Sequence, residues 1–280
     1  MPTGKIRKLI GGILSRYQEI FGIELFAYNF LSNHLHLIAR APGQNIDEFC
    51  ENVNREIAKR LNWKYRREGK FWSRRYDDQQ ILTANDLIEA FLYVTTNPSR
   101  HGLVRNSKDW TGLNSFEHSL KEQDRTFTFH HYSKEEGFKT TTHTLKLSIL
   151  PPFQNISKKE RKETIEKLLN ERMDLIAKER SENNQGFLGI ETILEQVPGE
   201  IPISVSRSRR PNCYTKDHSL RKQFRESMKL RRTRYAIASM RYRLKLKAHF
   251  PENTFFPPLH RAPRLFPFTP LTPDFFKNAA

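Results

Sequence analysis

The stretch from Ile23 to Arg40 constrains the fold most, because it is dense in β-branched and aromatic residues and lies between two segments of helical periodicity. Before it, apolar residues recur every three or four positions from Lys5 to Ile20, and Gly22 ends that pattern. After it, an Ala-Pro-Gly turn leads into a second helical spacing from Ile46 to Leu61. These patterns predict a helix, a strand or hairpin, and a second helix.

Two further elements extend this pattern along the chain. The segment from Lys70 to Leu82 predicts another strand region. Thr83, with Asp86 three residues later, predicts the N-cap of a third helix, and Pro98 ends that helix because proline disfavours helical backbone in the residue before it. The order helix, strand, helix, strand, helix predicts an α+β fold, in which a small antiparallel sheet is covered by helices.

The character of the chain changes beyond residue 120, and we predict two domains, residues 1–120 and residues 121–280. In the second, a Ser/Glu capping box and an apolar stripe predict a charged helix from Ser157 to Glu179. The segment from Ser206 to Phe250 is strongly basic, and the chain beyond it is rich in proline and phenylalanine. The second domain is therefore predicted to be a basic, mostly helical extension with a Phe/Pro-rich tail.

The charge balance indicates a polyanionic partner. Lys and Arg number 48 against 31 Asp and Glu, a formal net charge of +17, and basic proteins bind nucleic acid by releasing counterions from phosphates. A solubilising surface or an anionic membrane contact is the alternative. No apolar run reaches the roughly 18 residues of a membrane span, and Cys50 and Cys213 lack a CxxC partner, which argues against a zinc finger. We expect a cytoplasmic protein without a membrane segment.

Two pairs of polar side chains are candidates for chemistry. His34 and His36 flank Leu35 on a predicted strand, so both imidazoles face the same side and can hold a divalent cation. Two ordinary surface histidines are the alternative. Tyr93 and Asn97 are four residues apart on the third helix, so the phenol and the amide project together. The alternative is that Tyr93 continues the apolar packing of that helix.

The segment from Phe71 to Tyr76 interleaves aromatic residues with Arg74 and Arg75, which suits stacked bases and phosphates as well as an ordinary edge strand. In order, the histidine pair, this segment, the run from Tyr93 to Val104 and the Asp-Trp pair after it resemble the single-tyrosine HUH transposases. The resemblance is closest to the branch called REP-associated tyrosine transposases, and it extends from about Gly4 to Ser119.

The resemblance implies a fold, a site and a reaction. The fold is a ferredoxin-like HUH core in which His34, His36 and Asn97 bind Mg²⁺ or Mn²⁺. Tyr93 attacks a phosphate of single-stranded DNA, forms a 5′-phosphotyrosine link and frees a 3′-OH. Neutral ligands suit this chemistry because they leave more of the cation's charge for the phosphate. The DNA-positioning residues implied in the same way are Arg74, Arg75, Arg100 and His101.

The implied protein is a transposase that cuts and rejoins single-stranded DNA with hairpin-forming ends, and a homodimer is one expected state. Family members begin with a strand before the first helix, whereas this chain opens almost directly on the helix. The first strand is therefore expected to be missing, which leaves a sheet edge exposed beside the metal site and impairs activity. The alternative function is a non-catalytic DNA-binding relative that retains the fold. A replication initiator, a relaxase or a metal hydrolase fits the motifs less well.

Overall fold

The computed structural model describes residues 3–133, 137–195, 212–252 and 254, and these fall into two compact units. The first unit contains the described residues up to 77 and from 83 to 195. The second contains residues 78–82 and the described residues from 212 onwards. The boundary predicted at residue 120 stays a prediction about where the family-like core ends, since the first unit continues well beyond it.

The first unit combines helices with two antiparallel hairpins. Its helices are α1 (Gly4–Phe21), α2 (Ile46–Lys64), α3 (Ala84–Thr95), α4 (Asn97–Arg100), α5 (Phe116–Lys121), α6 (Lys158–Glu182) and α7 (Ile190–Glu195). Its hairpins are β1 (Glu24–Phe30) with β2 (Leu35–Arg40), and β4 (Arg125–Ser133) with β5 (Gly137–Leu145), while β3 belongs to the second unit. Small antiparallel sheets with helices confirm the predicted α+β class.

The core of the first unit forms around α1. This helix packs against α2 and against both strands of the β4–β5 hairpin. Its apolar stripe is buried, and Leu14 has no exposed surface. A side chain at Gly12 would collide with the backbone carbonyl of Thr128, so glycine is what allows α1 to approach β4 this closely. Tyr28 of β1 and Phe49 of α2 are also fully buried in this core.

The long helix α6 is fixed to the same unit by a buried ion pair. Ser157 and Glu160 form the predicted capping box at its start, which confirms the charged helix. The Arg161 guanidinium is only 7% exposed. It pairs through two nitrogens with the carboxylate of Glu122, directly after α5, and donates to the carbonyl of Ile156 at 3.0 Å. The apolar stripe of α6 faces inward, with Leu169 fully buried.

The structure confirms the predicted helices and the first hairpin, but the strand predicted from Lys70 to Leu82 is wrong. Only Gln80–Ile81 is extended and paired, as β3. The aromatic residues of this segment fold onto the core instead of joining a sheet: Phe71 and Trp72 pack against the core cluster. The Trp72 indole N–H donates to the carbonyl of Asn54 in α2 at 2.8 Å. The β4–β5 hairpin was not predicted from the sequence.

The two edges of the β1–β2 hairpin differ. The edge of β1 receives backbone hydrogen bonds from later segments: Leu113 and Ser115 pair with Phe30 and Tyr28, and Ser148 donates to Leu25 at 2.7 Å. Among the residues that the structure describes, no backbone group pairs with the opposite edge, that of β2. The described residues begin at residue 3, and α1 is their first element, so the expectation about a preceding strand stays a prediction.

The second unit consists of a small parallel pairing and a long helix. β3 pairs in parallel with β6 (Cys213–Tyr214), and α8 (His218–Arg243) follows, capped by Asp217. This helix lies within the segment predicted to be basic and helical, whereas residues 206–211 of that segment lie outside the described residues, as does most of the Phe/Pro-rich tail. Within the described parts of the chain, none of the helices has the length and apolar character needed to cross a membrane.

Candidate active site

The β1–β2 hairpin sets the positions of two histidines. Its turn is closed by the Leu31 N–H, which donates to the carbonyl of His34 at 2.9 Å. His36 lies directly opposite Asn29 in the strand register. The centroids of the His34 and His36 rings are 4.9 Å apart. The alternation of a strand therefore brings both imidazoles to one side of the hairpin.

Helix α3 brings Tyr93 to the same side. The side-chain amide of Asn29 donates to the carbonyl of Val94 at 2.9 Å, which fixes the last turn of α3 against the hairpin. The Tyr93 ring then lies 5.5 Å from the ring of His36, edge to face. Tyr93 is partly exposed, unlike Val94 and Thr95 beside it. Its phenol is therefore open to a substrate while the rest of the turn is packed.

Several polar atoms in this region are buried without a hydrogen-bond partner. They include Nε2 of His36, Oδ1 of Asn29, Oγ1 of Thr95, and both the oxygen and the nitrogen of the Asn97 amide. Asn97 begins α4 and has no exposed surface. A buried polar group that lacks a partner costs about 1–3 kcal/mol. Such a group indicates a site that a bound ion or substrate completes.

The electrostatics of the site keep the imidazoles neutral. Burial lowers the pKa of His36 to about 4, with smaller contributions from His34 and His101. Burial, followed by the nearby His101, also lowers the pKa of His34. The Nδ1 of His34 is hydrogen-bonded to the side-chain oxygen of Asn33 at 2.6 Å, so its Nε2 carries the free lone pair. Neutral imidazole with an available lone pair is the form that binds metal ions.

Of the residues predicted to position DNA, Arg100 lies beside Tyr93 and His101 lies beside His34. The Arg100 guanidinium lies over the Tyr93 ring, 5.5 Å from its centroid. The His101 ring is 5.8 Å from that of His34. Burial lowers the pKa of His101, and so do the charges of Arg100 and Arg180. The face next to the nucleophile is thus positively charged, as a phosphate-binding surface requires.

Arg180, near the end of α6, was missed by sequence reasoning. Its guanidinium donates to the carbonyl of Gly186 at 2.6 Å and to that of Arg100 at 3.4 Å. It lies on the open face of Gly102, where any side chain would collide with it. Gly102 also has a φ of +68°, a conformation that favours glycine. No sequence motif marks Arg180, which is 80 residues from Arg100 in the chain.

Arg74 and Arg75 lie elsewhere in the first unit. Both are exposed and belong to the irregular segment that was predicted to be a strand. The Arg75 guanidinium lies over the ring of Tyr76, 5.3 Å from its centroid. The ring contacts that surround Tyr93 involve His36 and Arg100 instead. A role for Arg74 and Arg75 in binding DNA stays a prediction.

The residues around His36 fit a divalent cation by their donor chemistry. Within the described residues there is no group of three His, Cys, Asp or Glu side chains arranged to hold a metal ion. A cation here therefore needs another kind of ligand besides the histidines. The unpartnered amide of Asn97 and the unpartnered Nε2 of His36 are such donors, one oxygen and one nitrogen. The predicted set of ligands therefore reaches three only when the amide of Asn97 is counted with His34 and His36.

Comparison with known proteins points to the family that the sequence motifs resemble. Residues 1–95 match the family model described as IS200-like transposases. The chain is 29% identical over 118 residues to a protein of Haemophilus influenzae that carries the provisional name REP-associated tyrosine transposase. That alignment covers 38% of this chain and 65% of the relative. No solved structure matches. The predicted resemblance is confirmed for the N-terminal part of the chain.

Proposed function

We propose that this protein is a transposase that cuts and rejoins single-stranded DNA, with Tyr93 as the nucleophile and a divalent cation, Mg²⁺ or Mn²⁺, as cofactor. One observation carries the proposal. The ring of the partly exposed Tyr93 lies 5.5 Å, centroid to centroid, from the ring of His36, whose buried Nε2 has no partner, and the fully buried amide of Asn97, four residues after Tyr93, has none either. The match of residues 1–95 to IS200-like transposases supports the same reaction.

The proposed reaction is a transesterification at phosphorus. The Tyr93 hydroxyl oxygen attacks the phosphate, the bond from phosphorus to the 3′ oxygen breaks, and the leaving oxygen becomes a 3′-OH by taking up a proton. The phenol's proton is released in the same step, so the reaction needs no external reductant or energy source. The new phosphotyrosine bond keeps the energy of the phosphodiester, which allows a 3′-OH to reverse the step on another DNA end.

Each neighbour of Tyr93 has a proposed part. His34, His36 and Asn97 would hold the cation, which supplies positive charge to the phosphate as negative charge builds up in the transition state. The Arg100 guanidinium lies over the Tyr93 ring and is placed to bind the phosphate that Tyr93 attacks. His101, beside His34, adds a donor on the same face.

A second candidate function is DNA binding without catalysis. The observation that favours it is the edge of β2, which carries His36 and has no backbone partner among the described residues. A strand that is paired on one edge only is held by fewer backbone hydrogen bonds than a strand paired on both, so it supports its side chains less rigidly. In this case the fold would bind DNA while the metal ligands are too loosely held for chemistry. The proposal includes a homodimer that acts on DNA with hairpin-forming ends.

The decisive experiment is covalent capture. The full chain is incubated with manganese and labelled single-stranded DNA from the flanks of its own gene, and the products are separated on a denaturing protein gel. We expect a protein–DNA adduct that Tyr93→Phe and EDTA each abolish. Tyr65→Phe, which changes an exposed tyrosine at the end of α2, is the matched control and should retain the adduct.

The outcomes separate the two functions. An adduct that persists in Tyr93→Phe would disprove the assigned nucleophile. DNA binding without any adduct, under both magnesium and manganese, would support the non-catalytic function. His36→Ala tests the metal site separately: manganese binding measured by calorimetry should weaken by roughly 100-fold or more, whereas the exposed His130→Ala should leave it unchanged.

A further inference from the structure

A polar cleft is lined in part by Arg100, the residue whose guanidinium lies over the Tyr93 ring. It has a volume of about 170 Å³ and is lined by Arg100, Ile176, Glu179, Arg180, Asn183 and Gln185. All but Arg100 come from α6 and the loop after it, and all six lie outside residues 1–95, the segment that matches IS200-like transposases. The Arg100 guanidinium also lies over the Tyr93 ring, so a single side chain connects the cleft to the nucleophile.

The cleft has one positively charged side. Arg180 is held in place by hydrogen bonds from Nε and Nη2 to the carbonyl of Gly186, and from Nη1 to the carbonyl of Arg100. A guanidinium has five N–H donors, so donors remain for a ligand after these bonds. Its orientation is fixed in advance, which reduces the entropy lost on binding. The two arginines that line the cleft, Arg100 and Arg180, supply guanidinium groups of the kind that bind phosphate.

The remaining lining residues suit a base rather than a second phosphate. The volume is close to that of the roughly 150 Å³ cavity known to accept a benzene ring. Ile176 offers an apolar wall, and the amides of Asn183 and Gln185 can donate and accept along a base edge. The Glu179 carboxylate repels a phosphate but accepts a hydrogen bond from an exocyclic amino group, which thymine lacks.

We infer that this cleft binds one nucleotide next to the scissile phosphate, with the phosphate at Arg100 and Arg180 and an amino-bearing base at Glu179. This rests on the proposed function, because it assigns the cleft to the strand that Tyr93 attacks. The later part of the chain then contributes to the choice of cleavage site. Adenine, cytosine and guanine are accepted at this position, and thymine is disfavoured.

The test is an abasic scan measured by fluorescence anisotropy. The Tyr93→Phe protein is titrated with single-stranded DNA in which each position near the cleavage site is made abasic in turn. One position should weaken binding by about tenfold, the size expected for losing hydrogen bonds to charged groups. The effect of that position should become smaller when Arg180 is changed to Ala, because a nucleotide without this phosphate contact occupies the cleft less. Lys178→Ala, an exposed cation on the same helix, is the control and should leave the scan unchanged.

Glu179→Gln provides the test of base choice without disturbing the Arg180 hydrogen bonds. It should reduce the preference for amino-bearing bases over thymine at that one position. Equal losses from Arg180→Ala and Lys178→Ala, with no position singled out, would overturn the inference. The covalent assay separates the inference about the cleft from the proposed reaction. An adduct that forms without base dependence contradicts only the inference about the cleft. Arg180-dependent binding without an adduct sinks only the transposase reaction.

Discussion

On one face of β1, Tyr28 belongs to a closed hydrogen-bond network, whereas on the other face its neighbour Asn29 lies among unpartnered polar atoms. The Tyr28 hydroxyl is 2.8 Å from Nδ1 of His118 and accepts from Arg125 at 3.2 Å. Arg125 donates at the same time to the carbonyl of Asn114 at 2.9 Å. On the opposite face, His36 and Asn97 leave buried atoms without a partner.

The difference separates a structural polar cluster from the candidate active site. Both clusters are buried and both contain a histidine with a strongly lowered pKa, so neither burial nor pKa distinguishes them. What distinguishes them is whether their buried polar atoms have hydrogen-bond partners. The Tyr28 cluster is complete within the chain and stabilises the fold. The His36 cluster is incomplete within the chain, as expected for a site finished by a bound group.

The largest expected effect is on the pH dependence of stability. Burial, with a smaller contribution from Arg125, lowers the pKa of His118 to about 4 from its ordinary 6.5. Between these values the unfolded chain binds a proton at His118 that the folded chain does not. The free energy of unfolding should therefore fall by about 3 kcal/mol as the pH drops from 6.5 to 4. Urea unfolding of the wild type and His118→Gln measures it, and an equally steep fall in the variant would contradict the assignment.

Removing one member of the closed cluster should cost less. Tyr28→Phe leaves the Nδ1 of His118 and one N–H of Arg125 without their hydroxyl partner. We expect the free energy of unfolding to decrease by about 1–2 kcal/mol. The exposed Tyr65→Phe serves as control and should change it by less than about 0.5 kcal/mol. Equal effects of the two substitutions would show that the Tyr28 network contributes nothing to stability.

The smallest effect should have the opposite sign. Asn97→Leu replaces an unpartnered buried amide by an apolar side chain of similar shape. It should raise the free energy of unfolding by about 1 kcal/mol while abolishing the Tyr93 adduct. Asn114→Leu is the matched control: that amide is also buried but is partnered by Trp110 and Phe116, so its loss should destabilise. If Asn97→Leu destabilises as much as Asn114→Leu, the two faces of β1 do not differ in the way described.

Local periodicity predicted much of this fold. The apolar spacing predicted the helices because each helix buries one stripe of apolar side chains, which in α2 includes Ile57 and Leu61. The strand predicted around Phe71 and Trp72 failed because aromatic residues favour burial of any kind, and these two bury against the core without a strand partner. The β4–β5 hairpin has an apolar alternation at Phe127 and Phe129 in β4, where Phe129 is buried in the core, but this signal is short, and β5 is mostly threonine with few aliphatic residues.

The candidate site also contains residues that the sequence predicted and one that it did not. His34, His36, Tyr93 and Asn97 are spaced by the periods of a strand and a helix, so each pair could be predicted to share a face. That the two pairs meet depends on Asn29, whose bond to Val94 joins β1 to α3. Arg180 could not be found from spacing at all, because its neighbours Arg100 and Gly102 come from a segment far earlier in the chain.

Gly102 carries a consequence for any attempt to reduce this protein to its family-like part. The backbone of residues 102 and 103 accepts hydrogen bonds from Leu188 and Gly189 at 2.8 and 3.0 Å, and Arg180 covers the space where a side chain would stand. A fragment ending at residue 120 would strip these partners from the turn that follows Asn97, Arg100 and His101. The turn would keep its sequence but lose the hydrogen bonds and the arginine contact that support it. At Gly102 the family-like part of the chain and the later part therefore share one packed turn, and each part supplies contacts that the other lacks.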